Sequence, residues 1–523
     1  MAARTDSRGR VQVTTCRVQH SQAAALPHDA EVVVVPVRAE PRTVLGAGQV
    51  AQWFGVDADA VLDQLQFDGK AGSVASLPLA GLPFPGAGDP PIGSRPLLLF
   101  AGVGAATTTH WRRAGAAVAA ASKDAETVFV TSLVPDDTAG PAAEAVPAEQ
   151  TAHAFTEGLV LGSWKQPKPG SSAEGVPERE PTTYLLAGLA ADLVDDAARR
   201  AESTLLARVL STTPSNIKTP AWMARQATAL AKGVEHLSVQ VRDHKALRQE
   251  GFGGHLAVSA GSANPPRLVT LTWDPPQARE HVVLIGKGIT FDTGGLSIKP
   301  REAMVPMKTD MTGSAVVLST VLAAARSRLP VRLTGILALA ENAVGASSYR
   351  PGDVVRVWGG RTVEVANTDA EGRMVLADAL AWSAATLDPD AVLDVATLTG
   401  AATMGLGRGH GALFSNDDAL AAQLVAAGLD SGEPLWRLPL VAEYAAAIES
   451  GIADVRHIPE MPQFGGGAIT AALFLQQFAG DAPWAHLDIA GPARADRAQG
   501  ELAKGPTGFG VRALLRWLED RLG

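Results

Sequence analysis

EVVVVPV, at Glu31–Val37, is an unbroken β-branched run whose reading sets the fold. A strand open to water on one face alternates apolar and polar residues. A run without that alternation is buried on both faces, as in parallel sheets covered by helices. Leu97–Phe100 and Thr127–Leu133 repeat the pattern. Around them Gln49–Gln66, Thr107–Ser122 and Ala142–Leu161 read as helices, so strands and helices alternate and the class is α/β. This first unit closes on KQPKPGSSAEGVPEREP at Lys165–Pro181, a solvated surface loop by composition.

Farther along, Asp195–Leu210 places Leu205, Leu206, Val209 and Leu210 among Arg and Glu, a helix joining two halves. Apolar runs follow at Leu256–Ser259, Leu268–Trp273, His281–Ile285, Leu333–Ala340, Ala391–Val395 and His486–Ala490, with helical patterns interposed. They predict one large sheet covered by helices. At 523 residues the chain exceeds one compact core. The expectation is a smaller N-terminal α/β domain over 29–190, a linker helix over 191–211, and a larger C-terminal domain over 212–523 with a central mixed sheet. Residues 1–28, with Arg4, Arg8, Arg10 and Arg17 but no apolar signal run, read as a disordered N-terminus.

Composition excludes several classes. Lys and Arg total 45 against 54 Asp and Glu, a net charge of −9, which weighs against a general nucleic-acid binder. Cys16 is the sole cysteine, so there is neither an intramolecular disulfide nor a CxxC site. No apolar run reaches the ~18–20 residues of a membrane span. Cytoplasm is the expected compartment. G-x-S-x-G, HExxH and GxxxxGK[ST] are all absent, which removes serine-hydrolase, zincin and P-loop chemistry.

Three segments concentrate the remaining chemistry. IGKGITFDTGGLSIKP (Ile285–Pro300) runs from a strand into a loop with Lys287, Asp292 and Lys299, where Gly294 and Gly295 allow close backbone approach. MKTDMTG (Met307–Gly313) sets Asp310 at the opening of an Ala/Val-rich helix. NTDAEGR (Asn367–Arg373) carries Asp369 and Glu371, which share a face if that stretch is extended. Any one Asp or Lys in a glycine loop is more often a cap or a turn former. Convergence of all three segments changes the odds.

Four buried carboxylates repel one another unless something neutralises them. Two divalent cations would balance Asp292, Asp310, Asp369 and Glu371, with metals ~3.5–4 Å apart and a bridging water activated as hydroxide. Oxygen ligands without His select no single metal; manganese, zinc, magnesium and cobalt all fit. Arg373, at a helix N-terminus, suits a carboxylate-sized anion such as bicarbonate, and Lys299 suits an oxyanion on the scissile carbonyl.

With these residues in view, the second half resembles the leucine aminopeptidase (cytosol aminopeptidase) family of bacterial type. NTDAEGR is that family's signature. GKGITFDTGG (Gly286–Gly295), SIKP (Ser297–Pro300), MKTDMTG, DVATLTGA (Asp394–Ala401) and WAHLDIAG (Trp484–Gly491) follow in the family's order. The resemblance spans roughly residues 200–523. It implies Lys287, Asp292, Asp310, Asp369 and Glu371 as metal ligands, with Asp292 and Glu371 bridging two ions, Mn2+ or Zn2+. It implies Lys299 and Arg373 as catalytic, Arg373 by holding bicarbonate. Met307, Thr397 and Gly400 would line the side-chain pocket and Leu398 would meet the substrate backbone. It further implies release of leucine-like N-terminal residues from peptide substrates, by a homohexamer. His486, within an apolar strand, reads as a core histidine, and Gly465–Gly467 as a close-packing point. Two-metal phosphoester hydrolysis ranks below the peptidase reading, having no use for an apolar pocket beside an amine-binding metal. A DNA-binding role like that of some relatives is disfavoured by the acidic balance.

Overall fold

The valine run at the head of the chain is a central strand, Val32–Ala39, with Val33, Val34, Val35 and Val37 fully buried. In this computed structural model the described residues are 11, 13, 16–21, 26–27, 29–79, 96–133, 146–165, 180–460 and 465–522. The first sheet has seven strands in the order Arg17–Ser21, Thr183–Ala187, Thr127–Val130, Val32–Ala39, Leu97–Gly104 and Val74–Pro78, with Arg42–Val44 beside Val32–Ala39. Neighbours from Arg17–Ser21 through Leu97–Gly104 are parallel; Val74–Pro78 and Arg42–Val44 are antiparallel. The sheet is therefore mixed.

Three details depart from expectation. Arg17–Ser21, expected in a disordered stretch, is an edge strand paired with Thr183–Ala187. Main-chain groups at a sheet edge accept almost any sequence, so a polar segment gives no sign of such pairing. The single helix expected over Gln49–Gln66 is two, Ala47–Phe54 and Ala58–Gln64. Gly55 ends the first at φ 63° and the Asp57 carboxylate caps the second through Ala60 N–H. Leu256–Ser259 belongs to a helix, Gly253–Ser259, rather than a strand. A short apolar run suits either form, and tertiary packing decided this one. Residues 142–145 of the expected third helix and 166–179 of the expected loop lie outside the described residues.

The second sheet has eight strands: Leu435–Arg437, Gly411–Ser415, Trp484–Asp488, Ala391–Ala396, His281–Asp292, Arg332–Asn342, Arg267–Trp273 and Leu237–Arg242. Its centre is parallel and its flanks bring in antiparallel neighbours. Successive side chains of the long strand go to opposite faces. Val282 and Leu284 enter one apolar core, with helices Thr312–Arg326 and Val511–Leu522. Val283 and Ile285 enter the other, with Glu371–Thr386 and Gly467–Gln476.

The 22-residue helix Ala191–Thr212 touches both halves. Val194, Ala201 and Leu205 pack with the first sheet, whereas Leu206, Val209 and Leu210 pack with the second. Among the described residues no helix is long and apolar enough to cross a membrane. The parallel strands His281–Asp292, Arg332–Asn342 and Ala391–Ala396 end side by side. In α/β sheets ligand sites form at such carboxyl ends.

Candidate active site

Asp292 is the last residue of the strand His281–Asp292, in register with Asn342 at the end of its neighbour. The Asp292 Oδ1 accepts from Gly294 N–H and from Asn342 Nδ2, each at 2.8 Å. The turn that follows needs its glycines. Gly294 stands at φ 86°, and a Cβ there would lie 2.9 Å from Asp369 Oδ1. This close approach brings NTDAEGR against the strand end.

That signature is not extended. Asn367 folds it into a turn, its Oδ1 accepting from Asp369 N–H at 2.8 Å, and Glu371 opens the helix Glu371–Thr386. Asp369 and Glu371 converge through this turn-to-helix join rather than across a strand. One ligand atom from each of Asp292, Asp369 and Glu371 lies within 4.8 Å of the others. Asp310, which follows the 3-10 turn Val305–Thr309, completes the cluster through Lys287.

The two lysines are wedged among the four carboxylates. Lys287 Nζ lies 3.0 Å from Asp310 Oδ2 and 2.9 Å from Glu371 Oε1, and donates to Thr397 O at 2.9 Å. Its side chain lies flat on Gly372, where a Cβ would come within 2.4 Å of it. Lys299 Nζ lies 2.9 Å from Asp292 Oδ2 and also contacts Asp369 Oδ1. Two ammonium groups cannot neutralise four carboxylates. The remaining imbalance appears in the proton affinities. Burial first, then the charges of Glu371 and Asp310, raises the Asp292 carboxyl well above its ordinary range. Burial pushes Asp310 up to about 7 against the pull of Lys287. Asp369 is raised by burial and by Glu371. Only Glu371 is lowered, Lys287 and Lys299 together outweighing its burial. Its Oε2 is buried and receives no hydrogen bond among the described residues.

Arg373 sits in the first turn of the helix Glu371–Thr386, buried, with Nη1 donating to His457 O and Nε unpartnered. Burial lowers its pKa to about 10, against the charges of Glu371 and Asp488. His457 is held neutral; burial and then Arg373 lower it to about 3.

The expected pocket residues gather at one rim. Met307 lies in the 3-10 turn, its carbonyl accepting from Asp310 N–H at 3.2 Å. Thr397 Oγ1 donates to Asp310 Oδ1 at 2.8 Å. Leu398 is half-buried, and Gly400 is exposed at the start of Gly400–Leu406, with open space where a Cβ would stand.

Several polar residues escaped the sequence reading. Asn342 joins Asp292 to Thr368 O, and Tyr349 donates to the same carbonyl at 2.8 Å. Asp488 accepts from Leu398 N–H, Thr399 N–H and Thr399 Oγ1, fixing the rim. A polar residue at the carboxyl end of a largely buried strand was the available signal for both Asn342 and Asp488. His486 is fully buried as expected, paired with Asp394 Oδ1 at 2.6 Å, though its Nε2 has no partner. Gly466 and Gly467 cap and begin the helix Gly467–Gln476, a Cβ on Gly467 lying 3.3 Å from Ala401 Cβ.

Residues 205–515 match the family described as "Cytosol aminopeptidase family, catalytic domain". The chain belongs to that family. It is a metal-dependent exopeptidase of the cytosol aminopeptidase type, cleaving peptides at the N-terminus. A probable cytosol aminopeptidase of Leifsonia xyli subsp. xyli is 50% identical over 341 residues, 63% of this chain and 68% of the relative. One from Streptomyces avermitilis is 40% identical over 519 residues, 95% of this chain and 97% of the relative. Among solved structures, the bottromycin maturation enzyme BotP in complex with Mn superposes with a TM-score of 0.81 at 36% identity. It covers 94% of this chain and 100% of its own. A tomato leucine aminopeptidase mutant gives a TM-score of 0.81 at 30% identity, over 99% of this chain and 98% of its own. The likeness thus extends through the first half, beyond the residues on which the sequence resemblance rests.

Proposed function

We propose that this aminopeptidase holds two divalent ions, Mn2+ or Zn2+, on Lys287, Asp292, Asp310, Asp369 and Glu371, and releases leucine-like apolar residues from peptide N-termini. The observation that carries the reading is the acidic triad within 4.8 Å, with one buried Glu371 oxygen unpartnered and three carboxyl groups raised in proton affinity. Four carboxylates and one amine, with surplus negative charge, fit hard or borderline dications. The solved BotP complex with Mn supports manganese.

When bound, the ions supply Lewis-acid polarisation of the scissile carbonyl and of the attacking water. Lys287 ligates only as the neutral amine, so its present contacts with Asp310 and Glu371 are the ones dications would replace. Lys299, beside Asp292 and Asp369, places positive charge where the carbonyl oxygen becomes negative. Arg373 and the N–H groups of its helix turn would hold a bicarbonate-sized anion, which would supply a proton-accepting group beside the attacking water. Met307, Thr397 and Gly400 bound the side-chain pocket, and Leu398 aligns the peptide backbone. The printed name of the relatives supports work in the cytoplasm, and the start of the family match at residue 205 supports a division at 191–211 between an N-terminal domain and the catalytic one; the homohexamer rests on the sequence resemblance alone.

Hydrolysis of a panel of aminoacyl amides by chelator-stripped protein, before and after adding back Mn2+ or Zn2+, tests this. Turnover should vanish on stripping, return with either metal, and favour leucyl over aspartyl amide. Equal turnover on both amides would remove the apolar pocket.

A further inference from the structure

A lysine outside the site is fully buried without a counter-charge. Lys218, in the turn 213–219 between the helices Ala191–Thr212 and Pro220–Ala231, has no exposed surface. Among the described residues no carboxylate forms an ion pair with it. Its Nζ donates to Ser211 O at 3.1 Å and Lys308 O at 2.5 Å. Burial first, then the charge of Lys308, lowers its pKa well below the ordinary lysine range, with Asp310 opposing. A neutral amine retains two N–H groups, one for each carbonyl.

Both acceptors matter to the site. Ser211 belongs to the last turn of the long helix, whose carbonyls have no partner within the helix. Lys308 belongs to Val305–Thr309, the turn that carries Met307 and leads directly into Asp310. Neighbouring bonds tie the same pieces together. Lys308 Nζ donates to Thr212 O at 3.0 Å, and Thr312 Oγ1 donates to Thr309 O at 2.6 Å and to Ser211 Oγ at 3.1 Å. Ser215 Oγ donates to Thr290 O at 2.8 Å, two residues before Asp292. The turn containing Lys218 therefore braces two of the three segments that supply carboxylates.

We infer that Lys218 is a positioning residue: by bridging the end of Ala191–Thr212 to the backbone of Val305–Thr309, it sets the place of Asp310 and hence the affinity for one of the two ions. This rests on the metal reading above, in which Asp310 is a ligand. Lys218→Met keeps the length and apolar bulk of the side chain and removes the donor. Lys218→Gln keeps two N–H groups.

The test is calorimetric titration of Mn2+ into chelator-stripped full-length wild type, Lys218→Met and Lys218→Gln, with metal-free melts and then kcat and KM. Wild type should show two binding events. Lys218→Met should weaken one of them by about 10–100-fold, as loss of a group that orients a ligand does. Its kcat should fall more than its KM changes, and Lys218→Gln should recover part of the affinity. Wild-type Mn2+ affinities and kcat in a Lys218→Met protein that merely melts earlier would overturn the inference and leave Lys218 a helix cap. If Lys218→Met does not fold, Lys218→Gln decides by the same readout: one weakened event supports the inference, and two unchanged events overturn it. A wild type that binds no Mn2+ overturns the metal reading first, and this inference with it.

Discussion

Two clusters of buried charge stand in this molecule, and they solve the same problem differently. Where the first half meets the second, Arg112, Glu157, Arg512 and Glu433 pair at 2.8, 3.7 and 3.3 Å, all nearly inaccessible to water. Two cations meet two anions there. Arg112 and Arg512 hold Glu157 below the ordinary range although burial opposes them. At the strand ends, Asp292, Asp310, Asp369 and Glu371 form ion pairs, among the described residues, with Lys287 and Lys299 alone, and three of the four carboxyls are raised. The first cluster is balanced in charge, although among the described residues Arg112 Nη1 and Arg512 Nη1 have no hydrogen-bond partner. The unbalanced one would be completed by the dications proposed above.

The sharpest way to break this contrast is to remove charge from each cluster in turn. Asp369→Asn should lower kcat/KM by more than about 100-fold, since a ligand outweighs a residue that only orients one. Near-wild-type turnover on leucyl amide would refute its place in the centre. Glu157→Gln leaves Arg112 and Arg512 short of one anion. It should cost about 3–5 kcal/mol in denaturant unfolding and leave metal affinity untouched. Metal-free Asp310→Asn should move the opposite way. A carboxyl raised from 3.8 to about 7 gives stability that is full below its unfolded pKa and lost as pH rises through the folded one. Metal-free wild type therefore weakens between about pH 4 and pH 7. At pH ~8 the variant should exceed it by roughly 1–4 kcal/mol, at about 1.4 kcal/mol per pKa unit. Lower stability of the variant under those conditions would show that the cluster is balanced after all. The mildest change is Asn342→Ala, which removes one of two donors from each of Asp292 Oδ1 and Thr368 O. Gly294 N–H and the Tyr349 hydroxyl still donate to those two oxygens, so the loss is one bond at each; metal binding should weaken by about 10-fold, read by titration, with the fold retained.

What the sequence made legible follows the same division. Asp292, Asp310, Asp369, Glu371, Lys287 and Lys299 could be read because glycine-rich loops at the ends of apolar strands have few other uses for so many charges. The contiguous valines of Val32–Ala39 and the alternating burial of Val282–Ile285 follow directly from apolar patterning. Asn342 and Asp488 offered only the faint signal of a polar strand end, and Lys218 offered none, because its partners Ser211 O and Lys308 O lie elsewhere along the chain. The edge strand Arg17–Ser21 rests on main-chain pairing, which leaves no side-chain signature. Gly253–Ser259 turned helical because its glycines let it lie against Glu371–Thr386, a Cβ on Gly254 coming within 2.3 Å of Met374 O.

The central claim is that the strand-end cluster is incomplete without added positive charge. Counting divalent ions on the chelator-stripped chain while following leucyl-amide hydrolysis, between about pH 6 and pH 8, tests it most directly. The account predicts two ions per chain, activity that returns as they bind, and affinity that falls as protons compete for Asp310 below about pH 7. Full hydrolysis by protein carrying no divalent metal would contradict it.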